Sequence, residues 1–112
     1  MVKNKVFVPQ RGDIVWLNFD PQKGHEQKGK RPAIVLSPKE YNDKVGLALF
    51  CPITSKIKNY PFEVKVDGEI SGAILCDQIK SLDWRQRDAQ FIMKASNQIL
   101  KEVQQNIHML LC

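Results

Sequence analysis

A chain of 112 residues, 43% apolar and 26% charged, fits one globular domain with a single core of moderate size. No apolar run is long enough to cross a membrane, and the N-terminal MVKNKVFVPQ has lysines without the apolar stretch of a secretory signal, so a cytoplasmic location is expected. The net charge of +5 is uneven: residues 1–31 hold Lys3, Lys5, Arg11, Lys23, Lys28, Lys30 and Arg31 against Asp13, Asp20 and Glu26, a balance that suits a polyanionic partner.

Asp13–Phe19 (DIVWLNF) reads as a strand, with Val15, Leu17 and Phe19 on one face and Ile14 and Trp16 on the other. Both faces are largely apolar, which places the strand in a small barrel and Trp16 in the core. Asp20–Lys30 has two glycines, a proline and no apolar residue, so it is a loop, long for so small a domain and of the kind used for binding. Pro32–Leu36 is the second strand, ended by Ser37-Pro38, and Lys39–Asp43 has room for one helical turn. Val45–Ile53 is the clearest strand. It is apolar on both faces and therefore central, and Thr54 is the first polar side chain at its mouth. Lys56–Tyr60 is a basic loop. Phe62–Val66 and Gly72–Cys76 form a strand pair across Asp67–Ser71, and Ile79–Trp84 and Gln90–Met93 are further short strands.

Ser96–Leu111 is a helix capped by Ser96, with Ile99, Leu100, Val103, Ile107, Leu110 and Leu111 along one apolar stripe and His108 off it, on the surface. Short strands followed by one helix predict a mainly β fold with a C-terminal α-helix: a small, strongly bent SH3-like barrel, one domain over residues 1–112, with the helix packed on it. Cys51, Cys76 and Cys112 are an odd, widely spaced set. Cys51 and Cys76 lie in apolar runs and are expected to be buried thiols. With His25 and His108 they make no zinc spacing, and neither a metal nor another cofactor is expected.

The chain has no phosphate-binding, dinucleotide, zinc or serine-hydrolase motif. It does have polar residues at strand ends, from three segments: His25, Glu26, Arg31, Thr54, Ser55, Asp77 and Gln78. These types suit metal-free cleavage of RNA, where the ribose 2′-OH is the nucleophile. The enzyme then supplies a base, donors for the charge growing on the phosphoryl oxygens, and an acid for the leaving oxygen. Arg31 offers a planar, permanently charged fork. Thr54 offers a second donor, Glu26 or His25 a base, and Asp77 a group to orient Arg31 or His25. Plainer roles exist for each: Glu26 and Asp77 as surface ion-pair partners, Thr54 as the end of its strand.

Gly12-Asp13-Ile14-Val15-Trp16, Asp20-Pro21, Gly24-His25-Glu26-Gln27-x-Gly29-x-Arg31-Pro32-Ala33, Val35-Leu36-Ser37, Pro52-x-Thr54, Tyr60-Pro61-Phe62 and Asp77-Gln78 together resemble the MazF/PemK toxins of bacterial toxin–antitoxin pairs, over nearly the whole chain. The resemblance implies a homodimeric, sequence-specific, metal-independent endoribonuclease that cuts single-stranded mRNA and stops translation, leaving a 2′,3′-cyclic phosphate and a 5′-hydroxyl. It implies as partner a MazE-like antitoxin whose disordered acidic tail covers the RNA groove, with DNA met only through that antitoxin. Arg31 and Thr54 match the positions on which the family relies most, and Glu26 matches an acid of the loop motif. His25 and Asp77 match catalytic positions of the Kid/PemK branch. That branch places an arginine two residues before the aspartate, where this chain has Leu75, so an acid at that point is lacking. For RNA binding the candidates are Phe19, Lys56, Lys58, Tyr60, Gln78 and Lys80, by stacking and backbone tracking, with Phe19 equally suited to the core. Two other readings use the same barrel: a gyrase-poisoning CcdB-like toxin, which the Glu26–Pro32 motif and Thr54 oppose, and a non-catalytic RNA-binding barrel.

Overall fold

The β-branched and aromatic runs become strands, and the glycines and prolines between them become turns. The computed structural model describes residues 7–19 and 29–112. Its elements run β1 (Asp13–Asn18), β2 (Lys30–Val35), α1 (Lys39–Val45), β3 (Leu47–Thr54), β4 (Glu63–Val66), β5 (Gly72–Leu75), β6 (Lys80–Asp83), β7 (Gln90–Lys94) and α2 (Asn97–Leu111). The strands form a bent antiparallel sheet ordered β4-β5-β3-β2-β1-β7, with β6 also on β3.

The long central strand β3 organises the bend. One edge pairs with β2 from Phe50 to Pro52. The other edge pairs with β6 from Leu47 to Phe50 and then with β5 at Ile53 and Thr54. Alternation along β1, β2 and β3 sends side chains to two cores. Ile14, Ile34, Cys51 and Ile53 join Val64, Val66, Ile74, Cys76 and Val103 of α2 in one. Val15, Leu17, Ala33, Val35, Ala48 and Phe50 join Trp84 in the other. Apolar patterning on both faces of β1 and β3 thus has the expected cause.

Helix α2 starts where expected, with Ser96 Oγ accepting the Ile99 N–H at 3.1 Å. Its stripe seats only in part. Val103 is buried and Ile99, Leu100 and Ile107 pack against the first core, but Leu110 and Leu111 are exposed because the helix outruns the sheet beneath it. Helix α1 is longer than the single turn expected and takes Val45 out of the third strand. Gly46, at φ 82°, caps it in the left-handed region and returns its N–H to the Asn42 carbonyl. Buried Asn42 also joins elements: its Nδ2 donates to the Pro9 and Ser37 carbonyls, and its Oδ1 accepts from Ser37 Oγ at 2.6 Å. Its own carbonyl accepts from Trp84 Nε1 at 3.0 Å. Among the described residues, no helix is long and apolar enough to cross a membrane.

Candidate active site

Two prolines open the site. The Phe19 N–H donates to the Gly29 carbonyl (3.0 Å), which fixes the alternation along β1–β2 and turns the nitrogen of Pro32 toward β3. Pro32 has no hydrogen to give, and the β2–β3 ladder ends at Ala33–Pro52. In the same way the Leu36 N–H to Leu49 carbonyl bond (2.8 Å) turns the nitrogen of Pro52 to the other edge, where β3 leaves β6 for β5. Arg31 and Thr54, one residue beyond Pro32 and two beyond Pro52, therefore stand where β2 and β3 part. The gap is an open cavity of about 610 Å³ lined by Trp16, Arg31, Pro32, Ile53, Thr54, Ser55, Lys56, Glu69, Ile70 and Ser71.

Each side of this cavity is held. Arg31 pairs with Leu17 in β1, at the foot of the segment 20–28. That foot is closed by Arg87, whose Nη1 donates to the Asn18 (3.2 Å) and Phe19 (2.7 Å) carbonyls, and by the Lys30–Asp88 ion pair at 3.4 Å. Arg31 is exposed and lines the opening, and no acid among the described residues pairs with it. Thr54 is half-buried, and its Oγ1 accepts the Lys56 N–H at 3.1 Å, which leaves its O–H to donate into the cavity. Gly72 runs so close to Thr54 that a Cβ on it would collide with the Thr54 carbonyl oxygen. That close approach, at φ 157°, requires glycine.

A second cavity, of about 290 Å³, adjoins the first and shares Thr54 and Lys56 with it; Lys58, Tyr60, Glu63, Leu75, Asp77 and Gln78 complete its lining. Tyr60 donates its hydroxyl to Asp77 Oδ2 at 2.9 Å. That hydrogen bond, with the carboxylate's charge beside it, raises the Tyr60 pKa above its ordinary value of 10.0.

The structure thus brings together Arg31 and Ser55 in one cavity and Lys58, Tyr60, Asp77 and Gln78 in the next, with Thr54 and Lys56 in both. Asp77 meets Tyr60 rather than Arg31. His25 and Glu26 lie outside the described residues. Phe19 packs beside the Val15 core, and Lys80 is exposed on β6; neither is in the lining of these two cavities. Trp16, expected in the core, is 36% exposed and forms a wall beside Arg31, because the sheet face under it ends where β3 diverges. Its pairing with Pro32 is the signal that could have found it: a tryptophan opposite the proline at which the β2–β3 ladder stops has no third strand to cover it. Glu69 and Gly72 also escaped sequence reasoning. Both lie in or next to a turn read only as a connection.

Against this geometry, the family model described as "PemK-like, MazF-like toxin of type II toxin-antitoxin system" matches residues 10–111. The chain is 54% identical over 84 residues to the endoribonuclease toxin MazF of Escherichia coli K12, covering 74% of this chain and 76% of that one. It is 38% identical over 109 residues to the endoribonuclease toxin ChpB of the same strain, covering 91% of each. Among solved structures, MazF from Deinococcus radiodurans superposes with a TM-score of 0.85 at 49% identity, over 95% of this chain and 98% of that one. A MazE–MazF complex from the same organism gives 0.85 at 44% identity, over 95% and 97%. With the barrel, the helix and nearly all of its length matched, the chain belongs to the PemK-like, MazF-like toxins of type II toxin–antitoxin systems.

Proposed function

We propose that the chain is an endoribonuclease toxin that cleaves single-stranded mRNA at defined sequences, without a metal, and thereby inhibits translation. The observation that carries this reading is the pairing of Arg31 and Thr54 across one open cavity, a cation and a hydroxyl donor aimed at the same space. A phosphodiester in that cavity has Arg31 on its non-bridging oxygens and the Thr54 O–H as second donor, where negative charge grows as the 2′-oxygen attacks. The P–O5′ bond breaks as the new P–O2′ bond forms, which gives a 2′,3′-cyclic phosphate and a 5′-hydroxyl. The 2′-OH proton goes to a base, for which Glu26 and His25 are the candidates, and a proton is delivered to the leaving 5′-oxygen.

The second cavity suits the strand beside the scissile bond. Lys56 and Lys58 meet its backbone, Tyr60 offers a face for stacking and Gln78 an amide for a base edge. Asp77 acts from this cavity, through a carboxylate that Tyr60 orients. Arg31, Lys56 and Lys58 along the two cavities suit the acidic tail of a MazE-like antitoxin, a reading supported by the MazE–MazF assemblies among the structural neighbours. The proposed active form is a cytoplasmic homodimer.

Mapping the 5′ ends of fragments made by pure protein from a long single-stranded RNA in EDTA tests the proposal. Recurrent ends at one short sequence, labelled by polynucleotide kinase without prior phosphatase, are expected. Intact RNA retained by folded protein would replace cleavage with mere binding.

A further inference from the structure

We infer that Glu63 is a positioning residue for substrate binding: its carboxylate holds the loop of residues 55–60 in the shape that meets the RNA strand, acting through Lys58 and Tyr60. The substrate in this statement rests on the RNA-cleaving reading above; the geometry stands by itself. No residue from 55 to 62 belongs to a strand or helix, so no ladder sets the loop's shape. Glu63 takes that place. The Lys58 N–H donates to both of its carboxylate oxygens, at 3.3 Å to Oε1 and 3.2 Å to Oε2, and the Tyr60 N–H donates to Oε1 at 3.3 Å. The Glu63 N–H returns to the Tyr60 carbonyl at 3.0 Å. Between the two donors, Asn59 stands in the left-handed region at φ 58°, which turns the flanking amides to one side, as a nest of N–H groups does around an anion. The sequence supplies that anion from the first residue of β4.

The consequence reaches both cavities. With Tyr60 fixed, its ring packs on Phe62 (centroids 5.8 Å apart) and its hydroxyl finds Asp77. At its start the loop is tied by the Lys56 N–H to Thr54 Oγ1. Thus Lys56 and Lys58 are presented on a loop fastened at Thr54, Glu63 and Asp77. If the carboxylate is lost, the loop must be ordered by the substrate, which is paid in affinity and leaves the Arg31–Thr54 chemistry alone.

The test is steady-state cleavage of a short single-stranded RNA by wild type, Glu63→Gln, Lys58→Ala and the double variant, with amide hydrogen exchange on the same proteins. Glu63→Gln is expected to raise KM on the order of tenfold, the cost of ordering about two rotamer-rich side chains, with kcat within about twofold. Lys58→Ala should raise KM in the wild-type background and do little more in the Glu63→Gln background, because a lysine on a loose loop is no longer placed. A residue that only supported the fold would lower the active fraction at constant KM, and the two substitutions would add. Either result overturns the inference. Should wild type fail to cut RNA, the functional reading falls, and exchange at the Lys58 and Tyr60 amides decides the rest. Protection in wild type that is lost in Glu63→Gln keeps the positioning role, and equal protection in both removes it.

Discussion

Replacing Gly72 with alanine sets a methyl group against the Thr54 carbonyl oxygen, a backbone atom that cannot swing aside. The β3–β5 ladder consists of Ile53–Ile74 and Thr54–Ala73, so relief requires these strands to move apart at the residue that supplies the proposed hydroxyl donor. Overpacking of this kind costs about 1–3 kcal/mol, and the φ of 157° adds roughly 1 kcal/mol for any residue with a Cβ. For 112 residues the unfolding entropy is about 0.24 kcal/mol/K, so each kcal/mol lowers Tm by ~4 °C and the loss is roughly 8–16 °C. A displacement of Thr54 by about 1 Å would cost on the order of 100-fold in cleavage rate even below the melting transition. Gly68→Ala is the control within the same hairpin: its Cβ would meet only the end of the Met93 side chain, at 3.7 Å. That variant is expected within about 0.5 kcal/mol of wild type. Thermal melting followed by circular dichroism, with cleavage assayed well below Tm, measures both quantities. A Gly72→Ala protein that melts and cuts like wild type would refute the close approach of β5 and its part in fixing Thr54.

Buried Cys51 and Cys76 have pKa values raised to about 12 from 9.0, chiefly by loss of hydration, with the Asp77 charge adding to each. Because the folded state holds these protons more tightly, their contribution is complete below pH 9 and is lost as pH rises toward 12. Stability measured by urea titration should therefore fall across that window, and substituting both thiols by alanine should flatten the fall. Ellman's reagent at pH 8 should find exposed Cys112 in the native protein and all three cysteines once it is unfolded. Asn42→Ala leaves the Pro9 carbonyl and the Ser37 hydroxyl without their buried partner, and about 2–4 kcal/mol of stability should be lost in chemical denaturation.

The barrel was legible because β1 and β3 alternate two apolar faces and because α2 announces itself through Ser96 and its stripe. Val45 was drawn into β3 because it continues an apolar alternation; the left-handed Gly46 cap that ends α1 is a backbone event that hydrophobicity does not encode. Arg31 and Thr54 could be chosen from sequence as polar residues at strand mouths. Their meeting depends on Pro32 lacking an N–H on the side of β2 that faces β3, and Pro52 on the side of β3 that faces β5 and β6, which pattern alone does not assemble. Asp77 and Trp16 illustrate the complementary difficulty. A carboxylate has several basic or hydroxyl partners within reach of a small barrel, and Tyr60 takes it. An aromatic in an apolar strand reads as core until the neighbouring strand is seen to diverge. Leu110 and Leu111 keep the helical period past the point where the sheet can cover them.

The central claim, that Arg31 and Thr54 form one metal-independent cleavage site, is tested most directly by single-turnover cutting of single-stranded RNA in EDTA by wild type, Arg31→Ala and Thr54→Val, each confirmed folded. Wild type should release 5′-hydroxyl fragments with 2′,3′-cyclic phosphate ends, and each variant should lose about 100- to 1,000-fold in rate, the usual effect of removing one donor to the developing oxyanion. Cutting by either variant at the wild-type rate, or by wild type only when a divalent metal is restored, would contradict it.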